Sequence, residues 1–159
     1  MAAGYSFVLV LQLVLICVDI FSNSFSVLFG PSSSIVLLVV YMIQDICLIF
    51  SLVLLFLAFF NTFAFKAGLI SLLVKKFAAT LLVGVLYLAL TLAFHIWNVS
   101  TRWQRTNEYG WSDGLQAVHV LQKLLAIFYY YLYKRAALRL GNSKYYENSE
   151  WLRKHLNAR

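Results

Sequence analysis

The chain has 159 residues, of which 62% are hydrophobic and 12% charged, and its formal net charge is +7. Soluble globular proteins carry about 25% charged residues, so this composition excludes an ordinary soluble domain. It indicates an integral membrane protein whose positive charge is neutralised by anionic lipid head groups rather than by nucleic acid.

Four apolar runs are each long enough to cross a bilayer as an α-helix. A span needs about 20 apolar residues, because a helix rises about 1.5 Å per residue and the hydrocarbon core is about 30 Å thick. The sequence therefore predicts an all-α fold, with a four-helix membrane domain over residues 1–133, short loops and an amphipathic cytoplasmic tail over residues 134–159. The predicted spans are Tyr5–Phe29, Ile35–Phe60, Phe77–Trp97 and Leu115–Tyr133.

The first run has one alternative interpretation, a secretory signal peptide cleaved near Ser22-Asn23-Ser24. Two features oppose it: residues 1–15 contain no Lys or Arg, and Asp19 interrupts the apolar stretch that a signal peptide needs. We therefore predict that this run is the first transmembrane helix.

The distribution of Lys and Arg predicts the orientation in the membrane. The connection after the second run contains Lys66, Lys75 and Lys76, and the tail contains seven basic residues. The connection after the first run has no basic residue, and the one after the third run has Arg102 and Arg105. Because cytoplasmic loops carry the excess of basic residues, both termini are predicted to face the cytoplasm.

Aromatic residues agree with this orientation. Trp and Tyr are enriched at both membrane–water interfaces. We interpret as interface anchors Trp97, Trp103 and Trp111 on the lumenal side, and Tyr129, Tyr130, Tyr131 and Tyr133 on the cytoplasmic side.

Polar residues at bilayer depth form the principal candidate site. A charge at the centre of a membrane helix costs about 2.5–3.5 kcal/mol, so it persists when it is paired or functional. Asp45 and Lys123 come within about one helical turn of the same depth, where they could form an ion pair. The same candidate cluster includes Asp19, Gln44, Gln116 and His119. Two interpretations stay open: an internal cluster that decides which helices are neighbours, or a proton or ion pathway.

The sequence offers no pattern of an enzyme or a metal centre. His95, His119 and His155 lie on three separate segments, with no carboxylate or cysteine at ligand spacing. Asp19 and Asp45 lack the glycine-flanked motif of an intramembrane aspartyl protease. We therefore expect no catalytic activity, no metal and no cofactor.

The predicted connections and tail contain further candidate sites. Asn98 begins an Asn-Val-Ser sequon on the predicted lumenal side, a weak glycosylation candidate because it lies so close to the membrane. Ile70–Lys76 is apolar but too short to span, so we predict a helical connection in the cytoplasmic interface. Residues 149–159 are predicted to form a short amphipathic helix that docks on a lipid surface or a partner. The candidate docking residues are Lys134, Arg135, Arg139, Trp151, Leu152, Arg153, Lys154 and Leu156.

Several short strings along the chain are more specific than hydrophobicity requires. They are Phe59-Phe60-Asn61-Thr62-Phe63, Ala67-Gly68-Leu69, Trp111–Gln116, Tyr133-Lys134-Arg135, Arg139-Leu140-Gly141 and Trp151–Lys154. In this order and at these spacings they closely resemble the transmembrane protein 138 family. The sequence departs from the family pattern at its N-terminus and in the Gly30–Ser34 turn, and Lys123 stands where an arginine is familiar.

This resemblance implies a four-span protein of the primary cilium. Family members are required for cilium assembly, are associated with the transition zone at the ciliary base and with vesicular or vacuolar membranes, and are linked to ciliopathy of the Joubert type. We therefore expect a non-enzymatic scaffold or trafficking component whose partners are the lipid bilayer and other transition-zone or trafficking proteins. Two alternatives remain: a small channel or proton-coupled transporter that uses the intramembrane polar cluster, and a protein that shapes local lipid composition or curvature. The oligomeric state is left open.

Overall fold

The computed structural model describes residues 2–25, 34–60, 70–104 and 112–140. Within these ranges the chain is all-α and contains no strand. The helices are α1 (Ala2–Phe25), α2 (Ser34–Phe60), α3 (Ile70–Gln104) and α4 (Asp113–Leu140). The predicted all-α architecture is confirmed.

Length and composition explain why these segments are helical. Three of the helices each contain a segment that is long and apolar enough to cross a membrane. These segments are Phe7–Phe25 in α1, Ser34–Phe60 in α2 and Phe77–Trp103 in α3. The fourth helix, α4, has 28 residues, but it is more polar because it carries two glutamines, a histidine, two lysines, two arginines and four tyrosines. That α4 is the fourth span stays a prediction; its middle turns belong to the same core as the other three helices.

Two helices differ in length from the predicted spans. The Ile70–Lys76 segment, predicted as a separate interfacial connection, is the continuous beginning of α3. Helix α4 continues past the predicted end at Tyr133, because Ala136, Ala137 and Leu140 are buried in the main core. The extension of α4 by seven residues places the first part of the predicted tail in the bundle. The rest of the tail, residues 141–159, lies outside the described residues.

Helices that follow one another in sequence are neighbours in the bundle. The most extensive contacts join α3 to α4, α1 to α2, and α2 to α3. Helix α1 also touches α4, which closes the ring, and α2 reaches across to α4. Short connections make such neighbouring helices antiparallel, as in other up-and-down bundles.

The bundle has a large core and a smaller one. The large core joins the first half and middle of α3 to the second halves of α2 and α4, and its Tyr87 and Tyr133 are completely buried. The smaller core joins the start of α2 to the start of α4 and the later part of α3, through Leu37, Leu115 and Phe94. The outer surface is apolar as well, since side chains such as Ile127 are 64% exposed, which suits contact with lipid rather than water.

The tyrosines of α4 correct the sequence interpretation. Tyr129 and Tyr133 are 1% and 0% exposed, and Tyr130 is half-buried. The interface-anchor interpretation is wrong for these three, because their hydroxyl groups find partners inside the bundle, as buried tyrosines usually do. Tyr131 alone among the four tyrosines points outward, with 62% of its surface exposed.

Close packing at Gly84 yields a first test of this arrangement. A Cβ atom at Gly84 would lie 2.7 Å from Leu52 Cδ2 and 3.7 Å from Tyr129 Cε2. We expect Gly84→Val to destabilise the bundle by about 1–3 kcal/mol through overpacking. Gly84→Ala should be milder, because a gain in helix propensity of about 1 kcal/mol offsets the shift of Leu52.

The measurement is unfolding of the purified protein in mixed micelles with increasing SDS. Ala79→Val is the matched control, because Ala79 lies on the same helix with its side chain exposed. Equal stability of the Gly84→Val and Ala79→Val variants would contradict the packing of α3 described above.

Candidate functional site

The carboxylate of Asp19 connects all four helices. Asp19 lies on α1, is 1% exposed, and receives a hydrogen bond from each of the other three helices. Gln44 of α2 donates to Oδ1 at 2.8 Å. The hydroxyl groups of Tyr87 on α3 and Tyr130 on α4 donate to Oδ2 at 3.0 Å and 2.8 Å. A carboxylate accepts such bonds at both oxygens, so one side chain determines how the four helices are rotated.

Asn23, one turn after Asp19 on α1, extends this polar layer to the lysine of α4. Its Oδ1 accepts hydrogen bonds from Lys123 Nζ at 2.6 Å and from Gln122 Nε2 at 3.2 Å. Lys123 also donates to the backbone carbonyl of Asn23. The Asn23 amide nitrogen lies 3.4 Å from the Tyr87 hydroxyl, which itself donates to Asp19. The positive charge of Lys123 is therefore connected to Asp19 through Asn23 and Tyr87.

Asp45 belongs to a second polar group, between α2 and α3. Its Oδ1 lies 2.8 Å from Nδ1 of His95. The Tyr41 ring stacks on the His95 imidazole, with ring centroids 3.9 Å apart and planes inclined by 10°. Asn98 Nδ2 donates to the Tyr41 hydroxyl at 2.7 Å. These side chains tie the first half of α2 to the second half of α3.

The ion pair that Asp45 and Lys123 could form, judged by their depth, is not present in the structure. The structure places Asp45 against His95 and Lys123 against Asn23. The reason is helix rotation: successive residues on a helix with 3.6 residues per turn point about 100° apart. Gln44 therefore faces α1, while Asp45 faces α3.

Other members of the predicted cluster have different surroundings. Asp19 and Gln44 belong to the polar layer, as described above. His119 is half-buried, with its ring 4.9 Å from that of Phe94, and Gln116 is exposed. Sequence reasoning missed the layer residues that carry no charge: Asn23, Tyr87, Thr91, Gln122 and Tyr130.

A third polar contact joins α2 to α4 nearer the end of both helices. The Ser51 Oγ lies 2.6 Å from the Tyr129 hydroxyl and donates to the backbone carbonyl of Leu48 at 2.9 Å. The Tyr133 hydroxyl donates to the backbone carbonyl of Ser51 at 2.6 Å. The buried hydroxyl groups of Tyr129 and Tyr133 therefore both find hydrogen-bond partners on the neighbouring helix.

The sequon and docking candidates also have definite positions where the structure describes them. Asn98 lies inside α3, is 7% exposed, and uses Nδ2, the atom to which a glycan would be attached, to bond Tyr41. Lys134 and Arg135 are exposed and Arg139 is half-buried, all on the last turns of α4. The remaining docking candidates, Trp151, Leu152, Arg153, Lys154 and Leu156, lie outside the described residues.

The chemistry available to the polar layer is hydrogen bonding between helices. Among the residues that the structure describes, no three His, Cys, Asp or Glu side chains come together as metal ligands would. Each bond of Asp19 and each side-chain bond of Lys123 joins two different helices. Such buried polar networks specify a unique arrangement when their members are bonded to one another.

The pairing of Asp45 can be tested with a double-mutant cycle. We expect Asp45→Leu and His95→Phe to be coupled by about 0.5–3 kcal/mol, because each single change leaves one buried partner unpaired. Asp45→Leu and Lys123→Met should instead be additive within about 0.3–0.5 kcal/mol, since they do not share a contact. SDS-induced unfolding of the unchanged chain, the three single variants and the two double variants gives both values. A larger coupling for the Lys123 cycle would favour an ion pair between Asp45 and Lys123 instead.

The role of Asp19 gives a second prediction from this site. Asp19→Leu removes the acceptor of three hydrogen bonds and should destabilise the bundle by about 1–3 kcal/mol for each donor that is left unsatisfied. Ser24→Leu is the control, because Ser24 is exposed on the same helix. Thermal stability in detergent, followed by fluorescence-detected size-exclusion chromatography, compares the two variants. An Asp19→Leu variant as stable as Ser24→Leu would show that the carboxylate does not hold the helices together.

Comparison with known proteins agrees with the resemblance found in the sequence. A profile of the family described as Transmembrane protein 138 matches residues 37–155. The protein named Transmembrane protein 138 from Mus musculus is 45% identical over 151 residues, which cover 95% of this chain and 93% of the relative. Its namesake from Danio rerio is 45% identical, with 94% and 92% covered, and that from Xenopus tropicalis is 45% identical, with 95% and 93% covered.

No solved structure matches the chain. The family profile spans more than half of the chain, and each of the three relatives aligns with nearly all of it. The chain therefore belongs to the transmembrane protein 138 family.

Proposed function

We propose that this protein is a non-enzymatic multi-pass membrane scaffold, required for cilium assembly, that acts at the ciliary transition zone and on associated vesicle or vacuole membranes. The observation that carries the proposal is family membership over nearly the whole chain, at 45% identity to three relatives. A scaffold needs a rigid membrane anchor and a surface for partners, and the described bundle supports both requirements.

The polar layer supports the first requirement. Charged side chains at bilayer depth mark either internal pairing or a functional pathway. Here Asp19 is bonded to three other helices and is 1% exposed, and Lys123 is bonded to Asn23. Side chains with such partners serve to hold the helices together, which favours a structural role over catalysis.

The end of α4 supports the second requirement. Ala136, Ala137 and Leu140 are buried in the main core, so the last turns of α4 are held against the bundle. Lys134 and Arg135 are exposed on these turns. Under the predicted orientation they face the cytoplasm, where they are positioned to bind anionic lipid head groups or an acidic partner surface at a low entropic cost.

A small channel or proton-coupled transporter remains the second candidate function. The Asp45–His95 pair favours it, because carboxylate and imidazole groups within membrane helices form proton relays in transporters. This alternative requires that a folded Asp45→Asn variant lose all function, whereas a scaffold tolerates the change as long as the bundle and its binding surfaces are intact.

Proximity labelling in ciliated cells tests the scaffold. A labelling enzyme is fused to the C-terminus of the full chain, and of a variant in which residues 141–159 are replaced by a Gly/Ser linker of equal length. The exchange begins after Leu140, because Leu140 is 1% exposed in the core and its removal would disturb the bundle. We expect transition-zone proteins to be labelled by the full chain and labelling to fall with the linker variant.

Each outcome of this experiment has a definite meaning. Unchanged labelling by the linker variant would place the partner surface on the bundle rather than on the tail. Absence of transition-zone proteins from the labelling by the full chain would contradict the ciliary proposal. An Asp45→Asn chain that labels normally and restores cilium assembly in depleted cells would reject the transporter.

A further inference from the structure

A cleft between α2 and α3 opens on the outer surface of the bundle. It has a volume of about 490 Å³. Its rim includes Met42, Ile96 and Trp103, which are 55%, 68% and 63% exposed and so face outward from the bundle. Asp45 and His95 also line it, which puts an ionisable pair in an otherwise mostly apolar cleft.

The carboxylates of the two aspartates in the bundle, Asp19 and Asp45, differ in the number of hydrogen bonds that they accept. Asp19 accepts hydrogen bonds at both carboxylate oxygens and is 1% exposed. Asp45 is bonded to His95 through Oδ1, and 18% of its side chain is exposed in the cleft. An ionised carboxylate offers about four acceptor sites, so Asp45 retains accepting capacity that the cleft leaves accessible.

The depth of Asp45 restricts what can bind there. Asp45 lies eleven residues, about 16 Å, from the start of α2, and its partner His95 lies nine residues, about 14 Å, from the end of α3. Lipid head groups stay at the interface, about 15 Å from the centre of a hydrocarbon core that is about 30 Å thick. A transmembrane helix, in contrast, presents a side chain at any depth.

We propose that the α2/α3 cleft receives a transmembrane helix of a partner protein, whose Lys or Arg side chain donates hydrogen bonds to Asp45. A basic side chain at this depth is costly when unpaired and is stabilised by an opposite charge, so the two helices gain from each other. The cleft is also shaped for close approach, since Ser100 is a small, exposed residue on its wall.

The Asp45 carboxylate is already fixed in position by contacts within the bundle. His95 fixes one oxygen of Asp45, Tyr41 stacks on His95, and Asn98 holds the Tyr41 hydroxyl. Because these contacts are already made within the bundle, little side-chain freedom remains to be lost when a partner helix binds.

A second copy of this chain does not supply the required side chain. Near the depth of Asp45 a second copy offers Lys123, whereas Arg102 lies seven residues, about 10 Å, beyond His95 on α3. Lys123 is half-buried and bonded to Asn23 of its own chain. The occupant is therefore a different protein, and its binding goes beyond the proposed scaffold, which requires only cytoplasmic contacts.

The experiment is site-specific photocrosslinking of the full chain in membranes of ciliated cells. A photoreactive amino acid replaces Met42 on the cleft wall or, as a matched control, Leu121 on α4; both are 55% exposed. We expect a discrete protein adduct from position 42 only. Mass spectrometry should locate the crosslink in a transmembrane segment that contains Lys or Arg.

Two further variants test the chemistry of binding. Asp45→Asn should reduce the adduct at least about tenfold, because the partner's cation loses its charge-assisted hydrogen bond. Ser100→Leu narrows the cleft without changing Asp45 and should reduce the adduct as well, so the test does not depend on how well the Asp45 variant folds. Replacement of the identified Lys or Arg by Asp, combined with Asp45→Lys, should restore the adduct.

Four results would overturn the proposal: adducts with lipid alone, adducts with a second copy of this chain, equal adducts from positions 42 and 121, or an adduct that survives both Asp45→Asn and Ser100→Leu. None of these results depends on labelling by the cytoplasmic tail. Failure of the cleft and failure of the proposed function are therefore distinguishable.

Discussion

The carboxylate of Asp19 is the interaction on which the arrangement of the bundle depends. Inside a bilayer the hydrophobic effect does not drive helices together, because lipid chains are as apolar as leucine side chains. Shape and hydrogen bonds must then decide which faces meet. Asp19 is bonded to Gln44, Tyr87 and Tyr130, one residue from each of the other helices. Helix α1 is thereby oriented towards the bundle by polar contacts that a rotated helix would lose.

The charged side chains within the membrane helices have two kinds of surroundings. Asp19 and Lys123 are held by partners within the bundle, where they contribute to helix arrangement. Asp45 is bonded to His95 but stays accessible from the lipid side, in a cleft with apolar walls. One fold thus combines a charge that stabilises the protein with a charge that is available to a partner. The difference arises from position: Asp19 points inward between helices, whereas Asp45 lies at the edge of the α2/α3 interface.

Helix continuity connects the membrane domain to the proposed scaffold role. Helix α3 begins at Ile70, and α4 ends at Leu140, so both extend beyond the apolar runs that define the predicted spans. Buried Ala137 and Leu140 keep the end of α4 on the bundle, while Lys134 is exposed. The basic surface at the predicted cytoplasmic side and the intramembrane cleft are the two separate places at which we propose that other molecules bind.

The sequence by itself determined the helical class, the approximate spans and the polar residues worth attention, because hydrophobic length and the cost of buried charge are local properties of the chain. It identified Asp19, Gln44, Asp45 and Lys123, yet it left the partner of Asp45 open, with Lys123 as a possibility, and placed buried Tyr129 at the interface. Partners depend on how each helix is rotated and on which helices are neighbours. These are decided by packing and hydrogen bonds between residues far apart in sequence, such as Asn23 and Lys123, and only the tertiary structure contains that information.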